Sequence, residues 1–389
     1  MALAFTADQD QFRDSIQRFM TDKMPTTEIR RLMATTRGFD DETWRQVSDQ
    51  LALPGIHIPE DFGGAGFGAV ELSIACEEMG RSLFCGPFFS SAVLSAYALM
   101  LTGDEDQLDP WLADIASGTR RGCLAITEHS TLWHDADINT LAKTDSDGQI
   151  RLHGDKRFVI DGQTADLFIV AARSESGIGL YLVPDHDPQL GITPLDTMDP
   201  TRKMADLHLD GVPAIQLTHQ PEQLLQTLLN VACVCLANEM VGGAQQLLQS
   251  ALDYTQLRFQ FGRSIASFQA IKHRLADLLL EVELARSAAY QAAQTLAACK
   301  NLRSLSPSQA NKLTEHASLA KAAASETYLQ AGLETIQLHG GIGFTWENDT
   351  HLWFKRAKSS EVLFGTPAEH RERMLTAIED AATTTEDAA

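Results

Sequence analysis

The chain is short of positive charge: Lys and Arg number 31 against 52 Asp and Glu, a net charge of −21 over 389 residues. So acidic a surface repels phosphate backbones and anionic lipid heads, which argues against nucleic-acid and membrane binding. Cysteine is also scarce. The six present (Cys76, Cys85, Cys123, Cys233, Cys235 and Cys299) form no CxxC pair. That excludes the usual zinc and dithiol motifs and the dense bridging of a secreted scaffold, so no metal site is expected and the thiols should be reduced and mostly buried. The opening MALAFTADQDQFRDSIQRFM has acids in amphipathic spacing where a signal peptide would have a basic start and an apolar run, and a cytoplasmic location is expected. Long uninterrupted apolar runs are missing too. Leu224 to Leu248 comes nearest, but Gln226, Asn230, Asn238, Glu239, Gln245 and Gln246 break it, as in a helix buried in protein.

What is present is ordinary globular material: 44% hydrophobic and 21% charged residues, enough chain for two or three domains. Residues 1–118 carry helical spacing, with Phe12, Ile16 and Phe19 on one face and similar patterns over Leu72 to Met79 and Ala92 to Leu101. The glycine-rich stretch Pro59 to Gly66 breaks this pattern; with no strand before it and no Lys-Ser/Thr after it, it reads as a connector between helices. Residues 119–219 change texture to short apolar runs, Cys123 to Thr127, Phe158 to Ile160, Leu167 to Ala171 and Leu180 to Val183, with alternating stretches at Ile150 to His153 and Ala205 to Leu209. These predict a small β domain. Residues 220–389 return to helices, over roughly Glu222 to Leu257, Phe268 to Lys300, Ser306 to His339, Asp349 to Ser359 and Pro367 to Asp380, and end in a short acidic tail from Ala381 expected to be disordered. The first of these helices is apolar nearly all round, which predicts cover from a second subunit as well as from its own neighbours.

Two C-terminal motifs carry a resemblance. Arg258-Phe-Gln-Phe-Gly262, Phe268-Gln269, His273 and Leu275-Ala-Asp277 look like the R-x-x-F-G…FQ…H-x-L-A-D signature of the acyl-CoA dehydrogenases. Ile336-Gln337-Leu-His-Gly340-Gly341-Ile-Gly343-Phe344, with Arg356 beyond it, resembles that family's second signature. The resemblance runs along nearly the whole chain and implies an α+β fold: an N-terminal helical domain, a middle small β-barrel and a C-terminal four-helix bundle. It implies FAD as cofactor, an acyl-CoA thioester as substrate and an electron-transfer flavoprotein as electron acceptor. In the family the matching residues hold the diphosphate and adenosine end of the neighbouring subunit's FAD, and they map here onto Arg258, Phe261, Phe268, Gln269, Gln337, Gly340 and Gly341. A guanidinium fork suits a diphosphate, and adjacent glycines let backbone approach a ligand. His339, in the same motif, reads as a packing residue. Thr127 and Thr366 are the other positions that the resemblance assigns to FAD.

Desaturating a thioester needs a carboxylate to take the α-proton, donors for the thioester oxygen and an acceptor for the β-hydride. In the family the base is most often the Glu of Tyr-Glu-Gly-Thr, and this chain reads Leu363-Phe364-Gly365-Thr366. A phenyl ring accepts no proton. Other members carry Glu-Arg on the long helix, where this chain has Ala232-Cys233. The remaining acid on that helix is Glu239, two turns further along, for which an apolar setting predicts a raised pKa. It is either a catalytic base or a buried acid paired across a helix interface. The β domain departs as well: after Thr127-Glu128-His129-Ser130 come bulky Leu132 and Trp133 where the family has small residues, and Phe158-Val159-Ile160 replaces Trp-Ile-Thr. Positions that serve a neighbour's FAD are kept, and those that serve the chain's own are largely replaced, although Thr127 survives. That pattern resembles one subunit of an α₂β₂ dehydrogenase for steroid or other bulky thioesters, paired with a related chain that carries the base. A self-sufficient homo-oligomer using Glu239, and a non-catalytic protein binding an acyl-CoA or a partner, are the alternatives.

Overall fold

The computed structural model describes residues 5–129, 132–184, 186–217 and 223–386. Six helices come first: α1 Ala7–Lys23, α2 Thr26–Met33, α3 Asp41–Leu51, α4 Ala69–Arg81, α5 Ala96–Thr102 and α6 Glu105–Ala116. Their starts follow from capping chemistry. Thr6 and Gln9 each satisfy the other's backbone N–H at the head of α1, and Asp104 and Gln107 do the same for α6. The glycine-rich stretch is the expected connector, folded back so that Ala65 N–H and Phe67 N–H donate to Gly55 O and Ile56 O, both at 2.9 Å. A π-helical segment, Phe88–Ser95, leads into α5.

Seven strands follow: β1 Gly122–Ala125, β2 Leu141–Thr144, β3 Ile150–Ile160, β4 Leu167–Ser174, β5 Gly177–Val183, β6 Leu190–Pro194 and β7 Met204–Gln216. Strand β4 pairs with β2, β2 with β3, β3 with β7, β7 with β5, and β5 with β4, so the sheet closes into a small barrel. Strands β1 and β6 are added outside that ring, on β4 and β7. Its interior is a separate apolar core that includes Leu152, Phe168, Tyr181 and Val212. Strand β3 slips register against β7 between Lys156 and Val159, and Phe158 takes a φ of 53° there.

The C-terminal part holds α7 Leu224–Leu257, a two-stranded hairpin (β8 Phe259–Gln260, β9 Arg263–Ser264), α8 Gln269–Ala298, α9 Pro307–His339, α10 Thr350–Val362 and α11 Pro367–Glu386. Helix α7 is long and apolar enough to cross a membrane, yet 94% of its most apolar stretch is buried inside this chain. Helices α4, α8, α9 and α10 supply that cover. No second subunit is therefore needed around α7, contrary to expectation. Apart from Leu257 at its very end, the apolar residues of α7 are covered; exposed apolar residues elsewhere include Leu280 and Leu284, one turn apart on α8, Phe259 and Phe261 on the hairpin, and Phe344 and Trp346 after α9. The segment from Ala381, expected as a disordered tail, instead continues α11 to Glu386, since alanine propagates a helix well. The expected boundary at 118/119 falls between α6 and β1, and that at 219/220 lies outside the described residues.

Candidate functional site

The conserved-looking C-terminal motifs meet at one end of the bundle. Helix α7 ends at Leu257, and the chain turns back through Phe261 (φ 55°) and Gly262 (φ 79°), the paired positive values that a two-residue hairpin needs. Arg258 closes this turn with its backbone, and Ile265 N–H donates to its carbonyl at 2.9 Å. The Arg263 guanidinium lies 3.9 Å from the centre of the Phe268 ring, and Phe261 meets the same ring edge-on at 6.2 Å. The end of α9 is pinned alongside by Tyr254, which stacks on His339 at 4.1 Å, and by an Arg274–Glu334 ion pair of 2.8 Å. His339 also sets its Nδ1 2.8 Å from Thr335 O, so it is a packing residue as expected.

Around this frame Arg258, Phe261, Gln269, Gln337 and Gly341 are exposed, and Phe268 and Gly340 are half-buried. The Arg258 side chain has no hydrogen-bond or ion-pair partner among the described residues. A Cβ on Gly340 or Gly341 would meet nothing within 4 Å. An open cation beside two bare backbone segments and adaptable amide side chains fits a phosphate-bearing ligand. The adenosine and diphosphate end of FAD is such a ligand.

The positions expected to serve the chain's own flavin are engaged by neighbouring side chains. Trp133 Nε1 donates to Thr127 Oγ1 at 3.1 Å, and Gln226 Nε2 donates to Trp133 O at 3.1 Å. The Trp133 indole packs edge-on to Phe364 at 5.1 Å, and Phe364 stacks on Phe89 at 6.0 Å. Phe364 has a φ of 61°, a costly conformation that several contacts enforce. A His370 ring nitrogen lies 2.9 Å from Phe364 O, and Lys321 Nζ donates to Gly365 O at 3.0 Å. Burial pulls the Lys321 ammonium down to about 8. Thr366 is spent as a helix cap, its hydroxyl and N–H both 2.7 Å from Glu369 Oε2. Leu132 closes over Gly365, where a Cβ would lie 2.6 Å from its Cδ2. Ser130 lies outside the described residues.

Glu239 is buried, and its partners are cations. Arg202 binds both carboxylate oxygens, at 2.5 and 2.6 Å, and Arg356 Nη1 reaches Oε1 at 3.1 Å. Arg356 also donates to Asp199 Oδ2 at 2.6 Å and to Thr201 Oγ1 at 2.7 Å. Burial opposes the charge on Arg356, but Asp199 and Glu239 outweigh it and raise its pKa. Beside them Asp161 accepts from Ser90 Oγ at 2.7 Å; burial pushes its carboxyl up to about 6 against that hydrogen bond and Arg202. The cavity these residues share with Phe89 and Ile160 is about 20 Å³, the size of one water. A cavity of that size holds neither an isoalloxazine ring nor an acyl chain, since small-molecule sites run to several hundred Å³.

Arg202, Asp199 and Asp161 were not foreseen in the sequence. Their only signal is indirect: an acid in an apolar helix demands a cation from somewhere else in the fold. A second buried pair in the barrel, Lys156 to Glu128 at 2.6 Å, also went unforeseen. Burial pushes the Glu128 carboxyl up, but Lys156 and Thr140 hold it at about 2. All six cysteines are free and buried.

Comparison with known proteins agrees with this architecture. Residues 6–119, 123–212 and 223–378 match the N-terminal, middle and C-terminal domains of acyl-CoA dehydrogenase. The chain is 30% identical over 367 residues to acyl-CoA dehydrogenase IpdE2 of Mycobacterium tuberculosis, covering 94% of this chain and 96% of that one. Among solved structures it resembles a variant of the Tcur3481-Tcur3483 steroid ACAD (29% identity, TM-score 0.84, 97% of this chain and 99% of that one). It also resembles the ChsE4-ChsE5 complex from Mycobacterium tuberculosis (25% identity, TM-score 0.85, 97% and 99%). The chain belongs to the acyl-CoA dehydrogenase family of flavoprotein oxidoreductases.

Proposed function

We propose that this chain is one subunit of a heteromeric FAD-dependent enzyme that desaturates an acyl-CoA thioester between its α and β carbons. In this reading it lends the bundle end to FAD seated mainly on a related subunit, and that subunit carries the base. The single observation behind the reading is an asymmetry: Arg258, Gln269, Gln337, Gly340 and Gly341 stand open, while Trp133, Phe364 and the Arg202–Glu239 pair fill the chain's own site. FAD, when bound, supplies the two-electron acceptor. Arg258 would neutralise the diphosphate, and Gln269 and Gln337 would offer amide hydrogen bonds to the adenosine end.

Glu239 is a poor base in this geometry, because two fixed guanidiniums take three of its carboxylate's roughly four acceptor sites and leave about one for a substrate. That weighs against the self-sufficient homo-oligomer. The steroid ACAD and the ChsE4-ChsE5 complex among similar structures support a bulky, steroid-like thioester and an α₂β₂ assembly. An electron-transfer flavoprotein is the proposed acceptor, by family likeness.

The test is the visible spectrum of the chain alone and after co-expression with a related dehydrogenase subunit, each with acyl-CoA added. Flavin and its bleaching only in the mixture are expected. Flavin that binds and bleaches in the lone chain would overturn the heteromeric reading, and no flavin in either would favour a non-catalytic binding protein.

A further inference from the structure

A second cavity, of about 270 Å³, opens between the end of α1, the start of α2, the end of α4, and helices α7 and α10. It shares no lining residue with the cavity at Glu239 or with the proposed FAD contacts. Its floor is apolar, made by the buried side chains of Met20, Met24 and Trp353. Its walls carry polar groups that the chain itself leaves unused. The side chains of Gln17, Thr26 and Gln246 are half-buried there or exposed only in part, and make no hydrogen bond among the described residues.

Two opposite charges also line this cavity, three residues apart on α4 and so on one face of that helix. Glu78 is only 3% exposed; its Oε1 accepts from Arg13 Nη1 at 3.0 Å, while its Oε2 takes no hydrogen bond and is not sealed. Arg13 Nη1 is shared, since it also donates to Glu77 at 2.7 Å. Burial, together with Glu77, pushes the Glu78 carboxyl up against the pull of Arg13 and Arg81, so its cations do not fully balance it. Arg81 is half-buried, and its guanidinium makes no hydrogen bond or ion pair among the described residues. A guanidinium and an open carboxylate oxygen that face one cavity without bonding each other, above an apolar floor, match the two charged ends and the apolar body of a zwitterion. The volume lies just under the range of drug-sized ligands, so the occupant is smaller than those.

We propose that this cavity binds a free α-amino acid with an apolar side chain: its carboxylate on Arg81, its ammonium on Glu78 Oε2, and its side chain against Met20, Met24 and Trp353. Gln17 and Gln246 then serve the remaining hydrogen bonds of its two charged ends. The site does not depend on the proposed FAD contacts.

The probes are L-leucine, L-methionine and L-phenylalanine, titrated calorimetrically into the full chain together with any subunit that co-purifies. At least one should bind saturably and move the ¹³C-methyl signals of Met20 and Met24. For the one that binds, the analogue without the ammonium (4-methylpentanoate for leucine) and the analogue without the carboxylate (3-methylbutylamine) should each bind at least about tenfold more weakly, the size of one hydrogen bond to a charged group. Arg81→Gln should erase the advantage of the amino acid over the amine, and Glu78→Gln its advantage over the acid. Should Glu78→Gln fail to fold, the two analogues on the unaltered chain decide. No saturable binding by any of the three, binding of either analogue as tight as that of the amino acid, or binding with the Met20 and Met24 signals unmoved would overturn the proposal.

Discussion

Glu239 shows what a buried acid demands. Two guanidiniums and a second acid surround it, and removing one partner from such a group leaves an uncompensated charge, at a cost of about 3–5 kcal/mol. Glu239→Gln should therefore lower the unfolding free energy measured by urea titration by an amount in that range; a catalytic base replaced by its amide would lose turnover with stability little changed. The titrating side chains predict a pH dependence whose sign can be worked out. Burial pulls His57 down to about 3, and burial with Lys321 and Arg373 nearby does the same to His370. Such an imidazole holds fewer protons folded than unfolded, so stability is lost as pH falls from about 6.5 toward 3. Asp161, pushed up to about 6, acts the other way: its folded form holds the proton more firmly, so stability is lost as pH rises from about 4 to 6. His316, His339 and His351 are pulled down by burial as well and outnumber, with His57 and His370, the burial-raised carboxyls Asp161, Glu78 and Glu281, so stability should show a net positive slope against pH between about 4 and 6. Urea midpoints across that range should show this slope, and His370→Gln should flatten it. At this scale Phe364 was legible at the position where the family resemblance puts a glutamate, because a fixed motif surrounds it. Arg202 was not legible, because the partner of a buried acid is set by how distant segments pack.

Helix α7 carries the same lesson for elements. Its span was legible to within two residues from apolar runs and a following Arg258 motif, but its cover was not, since an all-round apolar helix reads alike whether its own chain or a neighbour surrounds it. The structure assigns that cover to helices of the same chain, and glycines set the closest crossing. A Cβ on Gly242 of α7 would lie 1.8 Å from Glu77 O on α4, and one on Gly80 of α4 would lie 1.9 Å from Glu239 O on α7. The two helices thus touch backbone to backbone, each through the other's glycine. Gly242→Ala must push them apart, and should cost about 3 kcal/mol, the upper part of the range for overpacking, read as a lowered urea midpoint. Unaltered stability would mean that α4 and α7 do not cross this closely. The strain should spread, because Glu77 also binds Arg13 and Arg286 at 2.7 and 2.6 Å and so ties α4 to α1 and α8. In the barrel, short apolar or alternating runs marked β1, β3, β4, β5 and β7 but not the short, more exposed β2 and β6, and the ring order was illegible: pairing is decided between segments far apart in sequence, where local pattern carries no information.

For the whole molecule, the surface divides into two functions that mutation can separate. Leu280 and Leu284 stand 60% and 62% exposed on one face of α8, and Phe259 and Phe261 extend the apolar surface at the bundle end. In the proposed function these apolar groups would form the association surface, and Arg258 with Gly340 and Gly341 the ligand surface. Leu280→Asp places a charge where the folded chain alone exposes a leucine, so its own stability should change by no more than about 0.5 kcal/mol. In the assembly the same charge would be buried without a partner, so light scattering of the co-expressed proteins should show the complex lost or weakened at least tenfold, and flavin lost with it. Arg258→Ala should do the reverse in part: the assembly keeps its mass, while flavin washes out on gel filtration because the diphosphate has lost its cation. Loss of flavin from both variants, with loss of assembly from only the first, is the pattern that places the FAD contacts of this chain across a subunit interface. If Leu280→Asp leaves the mass of the assembly unchanged, α8 is not the joining face.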